Sequence, residues 1–396
     1  MGQAARFVLI ASALAASLAR AQTVFEPADL VKFNAAFEEI NGDRLKCNAK
    51  NVDPALDFAF RFELRYFVSC EVSQFGGAAG ELRAFVRVRP EDGRQLVLGD
   101  EFSIPAAPKA LSPAYLKKVH ALFQFSGALA AGVGQYHIEL LLVDNRRRVY
   151  RQHWNAKAFP HGREHDLHFS MPPNTLAPLT ITPIPTQTAT SAPPLTVLIN
   201  AAPLNPWSLK LRAWDRAFLL DSLSSLLRQL SYSSVRVIAF NLDQQQEVFR
   251  RENFGQRDMP NLAHALRSLE LGTVAYSTLQ RQQGWAELLV GLLKEESQSG
   301  QRSQAVVFLG PTVRLEDKVP AAIVASFPTP PPPLFCVAYY PRMGADFPDS
   351  IQQLTAAFKG RVFRIHSPSE LAQNLEKLQG DIEGEASSAR TMRPAK

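Results

Sequence analysis

The stretch Phe58-Ala59-Phe60-Arg61-Phe62-Glu63-Leu64-Arg65-Tyr66-Phe67-Val68-Ser69-Cys70 holds apolar side chains at every second position. Strand side chains point to alternate faces. The period therefore predicts one strand that buries Phe58, Phe60, Phe62, Leu64, Tyr66, Val68 and Cys70 and points Ala59, Arg61, Glu63, Arg65 and Ser69 the other way. The period recurs downstream. Leu82, Ala84, Val86 and Val88 alternate with Arg83, Arg87 and Arg89 before a Pro90-Glu91-Asp92-Gly93 turn. Val119, Ala121, Phe123 and Phe125 mark a third strand, and Tyr136, Ile138, Leu140 and Leu142 a fourth. A turn at Asp144-Asn145 leads into a strand over 148–154, and 166–170 supplies one more. Short strands separated by turn signals predict an immunoglobulin-like β-sandwich. It is placed at 22–171 and opens with an amphipathic helix over 28–40 carrying Leu30, Phe33, Phe37 and Ile40.

Ahead of this domain, Arg6 precedes the apolar run Phe7–Leu18, and Ala19-Arg20-Ala21 forms an A-x-A site. This reads as a signal peptide over 1–21, which implies an exported, periplasmic or extracellular chain. Loss of Arg6 and Arg20 lowers the formal charge from +6 to +4. The run is too short to span a bilayer, so no membrane span is expected in the mature chain. In an oxidising compartment Cys47 and Cys70 are a candidate disulfide, and Cys336 lies in an apolar run and is expected as a buried thiol. Three cysteines in 396 residues exclude a disulfide-framework protein, and 46% hydrophobic residues exclude wholesale disorder. His153, His161, His165 and His168 crowd together, but a strand over 164–169 would put His165 and His168 on opposite faces. They are taken as ordinary surface histidines. The Arg146-Arg147-Arg148 run reads as a solvated turn with no nucleic-acid motif around it.

From 172 to 194 the chain is rich in Pro and Thr and reads as a linker. Beyond it, apolar runs at 195–200, 235–240, 305–309, 334–339 and 361–365 alternate with helical segments, among them 215–230 with Leu219, Leu223, Leu226 and Leu230 on one stripe. An edge strand over 247–250 is expected to fold back through a turn at Asp243-Gln244, and Ser367-Pro368-Ser369-Glu370 opens the last helix as a capping box. Such alternation predicts a second domain over 195–380, a doubly wound, Rossmann-like α/β sheet, followed by a disordered tail over 381–396.

The order of these elements resembles a von Willebrand factor A (vWA) domain, as found in secreted bacterial proteins of that family. Leu271-Gly272-Thr273-Val274-Ala275-Tyr276-Ser277-Thr278-Leu279 is similar to the family's Gly-Thr-x-Leu-Tyr-Asp-Ala-Leu segment. The resemblance implies a metal-ion-dependent adhesion site, with Mg²⁺ held by an Asp-x-Ser-x-Ser loop, the threonine and a later Asp. Here the loop reads Asn200-Ala201-Ala202-Pro203-Leu204, and Gly310 stands where an Asp would follow the fourth strand. With Asn200, Ala202, Leu204 and Gly310 in place of ligands, only Thr273 matches. No metal and no cofactor are expected. Trp207 and Trp214, just past the first strand of this half, are candidate interaction residues because aromatics anchor protein interfaces.

No nucleophile elbow, H-E-x-x-H helix, P-loop or dinucleotide fingerprint occurs. The expectation is an exported, non-catalytic module that binds a protein or envelope component without metal, with its oligomeric state open. The alternatives are a metal-dependent adhesin with a rebuilt site, and a secreted hydrolase using scattered residues such as His264 or His366.

Overall fold

In a computed structural model the described residues are 23–25, 34, 37–38, 42–76, 79–104, 106, 121–184, 192, 194–205, 208–271, 276, 280, 283–298, 303–312, 319, 321–327, 331–340 and 349–391. They fall into two compact units. The first is drawn from residues up to Leu56 and from Arg61–Thr180; the second comprises Asp57–Phe60 and Ile181 onward. The segment 1–21 read as a signal peptide, most of the helix expected over 28–40, Val119, Trp207 and Thr273 lie outside the described residues.

The strands of the first unit are β1 (Thr23–Val24), β2 (Cys47–Leu56), β3 (Phe62–Glu71), β4 (Gly80–Pro90), β5 (Leu96–Ile104), β6 (Leu122–Ala131), β7 (Gly134–Asp144), β8 (Val149–Ala158) and β9 (Leu176–Pro178). They form two antiparallel sheets, in the orders β1-β5-β4-β7-β8 and β2-β3-β6-β9. Alternation decides which side chains go inside. Phe62, Leu64, Tyr66, Val68 and Cys70 of one sheet join Leu82, Ala84, Val86, Val88, Ile138, Leu140 and Leu142 of the other in one core. Gly127 pairs with Tyr66, and a Cβ there would stand 2.1 Å from the Tyr66 hydroxyl, so the phenol occupies the space a side chain would need. Cys47 and Cys70 are register partners across β2 and β3 and form a disulfide, with S–S 2.02 Å.

Several expectations need correction here. The strand predicted from Phe58 begins only at Phe62: the Asp57 side chain accepts the Ala59 N–H at 2.9 Å and Phe60 turns the chain with φ of 60°. No strand forms over 166–170; the chain makes a 3₁₀ turn over Gly162–Asp166. The predicted linker is structured at both of its described ends. β9 pairs with β6, and Thr182 and Ile184 are buried in the second unit.

In the second unit β10 (Leu195–Asn200), α1 (Ala213–Gln229), β11 (Val235–Asn241), β12 (Gln246–Arg251), α2 (Met259–Ser268), α3 (Gly284–Gln298), β13 (Ala305–Pro311), α4 (Ala321–Ala325), β14 (Leu334–Tyr339), α5 (Ser350–Ala357), β15 (Arg361–Ile365) and α6 (Pro368–Thr391) follow one another. The sheet order is β12-β11-β10-β13-β14-β15. β10, β11, β13, β14 and β15 run parallel, whereas β12 returns antiparallel to β11. The three central strands β10, β13 and β14 are buried throughout, whereas the edge strand β15 exposes Arg361 and Arg364. Phe58 belongs to this unit, its ring edge-on to Phe218 and Tyr339 at 4.8 and 5.3 Å between centroids.

The fold class expected for the chain is corrected by this pairing pattern. Among the described residues eight strand pairings are antiparallel and four parallel, so the chain is mainly β and mainly antiparallel. The expected doubly wound, vWA-like domain gives way to a mixed sheet with a reversed edge strand. Alternating apolar runs and helical segments locate elements, but strand direction follows from the connections, and short turns such as the one before Gln246 reverse it. α6 also runs on to Thr391, with Ile382 buried, where a disordered tail was expected from 381.

Candidate functional site

Parallel sheets place their ligands beyond the carboxyl ends of the strands, where loops leave the sheet. β10 ends at Asn200, which is 2% exposed. Its Nδ2 donates to the Pro311 carbonyl of β13 at 2.9 Å, while Oδ1 is buried and has no hydrogen-bond partner. Gly310 keeps φ at +151°, and a Cβ there would come within 2.8 Å of the Asn200 carbonyl oxygen. Asn200 and Gly310 therefore close against each other and leave no gap between the two strand ends.

The outgoing loop is held from several sides. Ala201 N–H donates to the Phe240 carbonyl at 2.8 Å, and Asn241 Nδ2 donates to the Ala201 carbonyl at 2.8 Å. Asp215, 1% exposed on the first turn of α1, accepts Leu204 N–H at 3.1 Å on one oxygen and Arg212 N–H at 2.9 Å on the other. An aspartate at the start of a helix satisfies free N–H groups and favours the helix dipole. Ala202 is buried and Leu204 half-buried. Mg²⁺ needs six oxygens in a near-octahedral set, and this donor set does not fit it. The one carboxylate spends both oxygens on backbone, and the Asn200 amide faces a carbonyl. Among the described residues no group of three or more His, Cys, Asp or Glu is arranged to hold a metal.

The loop and helix that follow this strand end expose two large apolar side chains among the charged Lys210 and Arg212. Trp214, the second residue of α1, is 54% exposed, and Leu209 in the preceding loop is 70% exposed. The tryptophan stands out in the sequence as an aromatic past the first strand, whereas Leu209 sits in a loop without periodicity and carries no such signal. Arg216 donates to the Leu211 carbonyl at 2.6 Å; its pKa is lowered, first by burial and then by the charge of Arg267, with Asp215 opposing.

The candidate catalytic groups are separate. His264 is exposed on α2. His366 Nδ1 lies 3.1 Å from Glu370 Oε2, and its ring stacks on Tyr340 with centroids 5.4 Å apart. Glu370 also accepts the His366 N–H at 2.7 Å, while Ser367 Oγ accepts the Glu370 N–H at 3.3 Å. Ser367 thus caps the first turn of α6, and Glu370 reaches back past the cap to the His366 N–H, which accounts for the carboxylate beside the imidazole. Cys336 is fully buried, and burial pushes its thiol well above the ordinary value, with Asp349 adding to the shift, so it stays protonated. His153 lies beside His137, with ring centroids 5.9 Å apart.

No family model matches the chain, and no curated protein matches it. Solved structures give faint likenesses. The structural-genomics target SoR45 aligns over 33% of this chain and 96% of its own at 11% identity and a TM-score of 0.19. A glycosyl hydrolase family 2 member from Bacteroides cellulosilyticus aligns over 79% of this chain at 10% identity and a TM-score of 0.20. A calcium-binding mutant of Bacteroides uniformis β-glucuronidase 2 aligns over 84% of this chain at 11% identity and a TM-score of 0.19. The matches span 37% and 39% of those two enzymes.

Proposed function

We propose that the chain is an exported, non-catalytic binding protein whose second unit engages a protein, or another component of the envelope, through the rim formed by Leu209 and Trp214. The exposure of these two side chains, next to a loop whose Asp215 carboxylate is committed to backbone N–H groups, carries the reading. Large exposed apolar groups cost solvation and are typical anchors of interfaces. The Cys47–Cys70 disulfide supports export, since such bonds persist in oxidising compartments. No described helix is long and apolar enough to cross a membrane.

Capture from envelope extract by the full chain, compared with Trp214→Ala and Trp207→Ala, tests the rim. Trp214→Ala is expected to abolish capture; undiminished capture by both variants would overturn the assignment. Titration calorimetry with Mg²⁺ and Mn²⁺ tests the metal-free part, and binding in the micromolar to low-millimolar range would favour a rebuilt adhesion site. The His366–Glu370 contact is the one observation that favours a hydrolase. Turnover of an ester or glycoside that disappears in His366→Ala would shift the reading to that class.

A further inference from the structure

We propose a second binding site on the first unit: an open groove on the outward face of β2, β3 and β6, built for a polysaccharide that carries acidic groups. Phe67 breaks the alternation of β3. It occupies an outward position between core residues Tyr66 and Val68, yet is aromatic and 53% exposed. Cross-strand register places Lys50 and Ser126 on either side of it, and Asn48, Ser69 and Gln124 in the neighbouring row. Together with Val68 and Phe125 they line a groove of about 450 Å³.

The chemistry of the groove selects the ligand. Adjacent strands lie about 4.8 Å apart, comparable with the width of a sugar ring, so the two rows offer side chains at the spacing of ring substituents. The electron-rich face of Phe67 suits the C–H face of a pyranose. Asn48 and Gln124 each combine an acceptor with two donors, and the serine hydroxyls both donate and accept, which matches neighbouring sugar hydroxyls. Of these amides and hydroxyls, only the Ser69 hydroxyl has a side-chain hydrogen bond among the described residues, a long one of 3.4 Å to the Asn48 carbonyl. Lys50 is the one charged residue of the lining, with no carboxylate among its neighbours there, so the groove carries a net positive charge suited to an acidic substituent. A protein-docking patch would have a wider aromatic and aliphatic centre depleted of charge. Here Phe67 is the one exposed ring of the lining, Phe125 being half-buried and Val68 buried, and amides and hydroxyls make up most of the rest.

The test is affinity electrophoresis of the full chain through gels containing alginate, a polyuronate, or dextran, a neutral glucan. Retardation by alginate at lower polymer concentration than by dextran is expected. Phe67→Ala should weaken it about tenfold, a factor equivalent to the loss of about 1.4 kcal/mol. Lys50→Gln should erase the preference for alginate. Arg83→Gln, an exposed charge on the other sheet, should change nothing, and Trp214→Ala likewise, so this site and the rim of the second unit fail independently. Gln124→Ala carries the same test should Phe67→Ala misfold by near-ultraviolet circular dichroism. No retardation overturns the proposal. Retardation lowered equally by Arg83→Gln and Phe67→Ala overturns it too, as general attraction of a basic chain. So does capture of a protein through Phe67 without polysaccharide binding.

Discussion

Asn200 shows how one side chain fixes the character of a strand end. Its amide N–H is the donor to the Pro311 carbonyl, a role a carboxylate cannot fill. Asn200→Asp would set two acceptors face to face in a buried place and is expected to cost about 2–3 kcal/mol in urea unfolding at neutral pH. The loss should shrink as acid protonates the new carboxyl. Unfolding midpoints that match those of the parent at pH 7 would contradict this account. Arg87, 3% exposed, is the counterpart in the first unit, bonding Glu139 at 2.6 Å and Glu38 at 2.7 Å. Burial alone would raise the Glu139 pKa, but the bond from Arg87 and the charges of Arg87 and Arg89 hold it below its ordinary value. A carboxyl depressed in the folded state contributes stability above its unfolded pKa and loses it as pH falls through the folded one. Glu139→Gln is therefore expected to flatten the decline of stability below about pH 4.3 while lowering stability at neutral pH. A variant whose acid profile tracks the parent's would remove Glu139 from the cause.

Elements were legible where side chains followed a period and illegible where the backbone did something the period does not record. Residues 62–70 read as a strand because Leu64, Tyr66 and Val68 had to be inside together, and the strand runs one residue further, to Glu71. Phe58 and Phe60 kept the same phase, yet the turn at Phe60 sends them elsewhere. β2 carries no clean period because Pro54 and the register shift between Val52 and Ala55 interrupt it, nor does β5, whose apolar run is broken by Gly99-Asp100-Glu101. The return of β12 was foreseen from the turn after Leu242, since a tight turn leaves no room for a crossover. The closed strand end at Asn200 was half legible: composition showed the loss of carboxylates, but the bond to Pro311 depends on a neighbour 111 residues away. The β2–β3 pair also carries the disulfide, which spans 23 residues. Replacing Cys47 and Cys70 by serine is expected to lower stability by roughly 3 kcal/mol through the added freedom of the unfolded chain. An unchanged midpoint in the double variant would exclude that contribution.

For the molecule as a whole, the path of the chain matters more than the count of its parts. It leaves the first unit after Leu56, returns at Arg61 and leaves again after Thr180. During the first excursion Phe58 enters an aromatic trio with Phe218 and Tyr339, and Ser225 Oγ donates to its carbonyl at 2.7 Å. A fragment starting at Ile181 would thus leave behind a ring that belongs to its own interior. It is expected to melt below the corresponding transition of the full chain, and Phe58→Ala in the full chain should reproduce much of that deficit. Independence of the two halves, which a boundary near residue 180 invites one to assume, is therefore a matter of geometry alone: one hairpin loop makes the second half's completeness hereditary, handed down from a segment synthesised more than a hundred residues earlier.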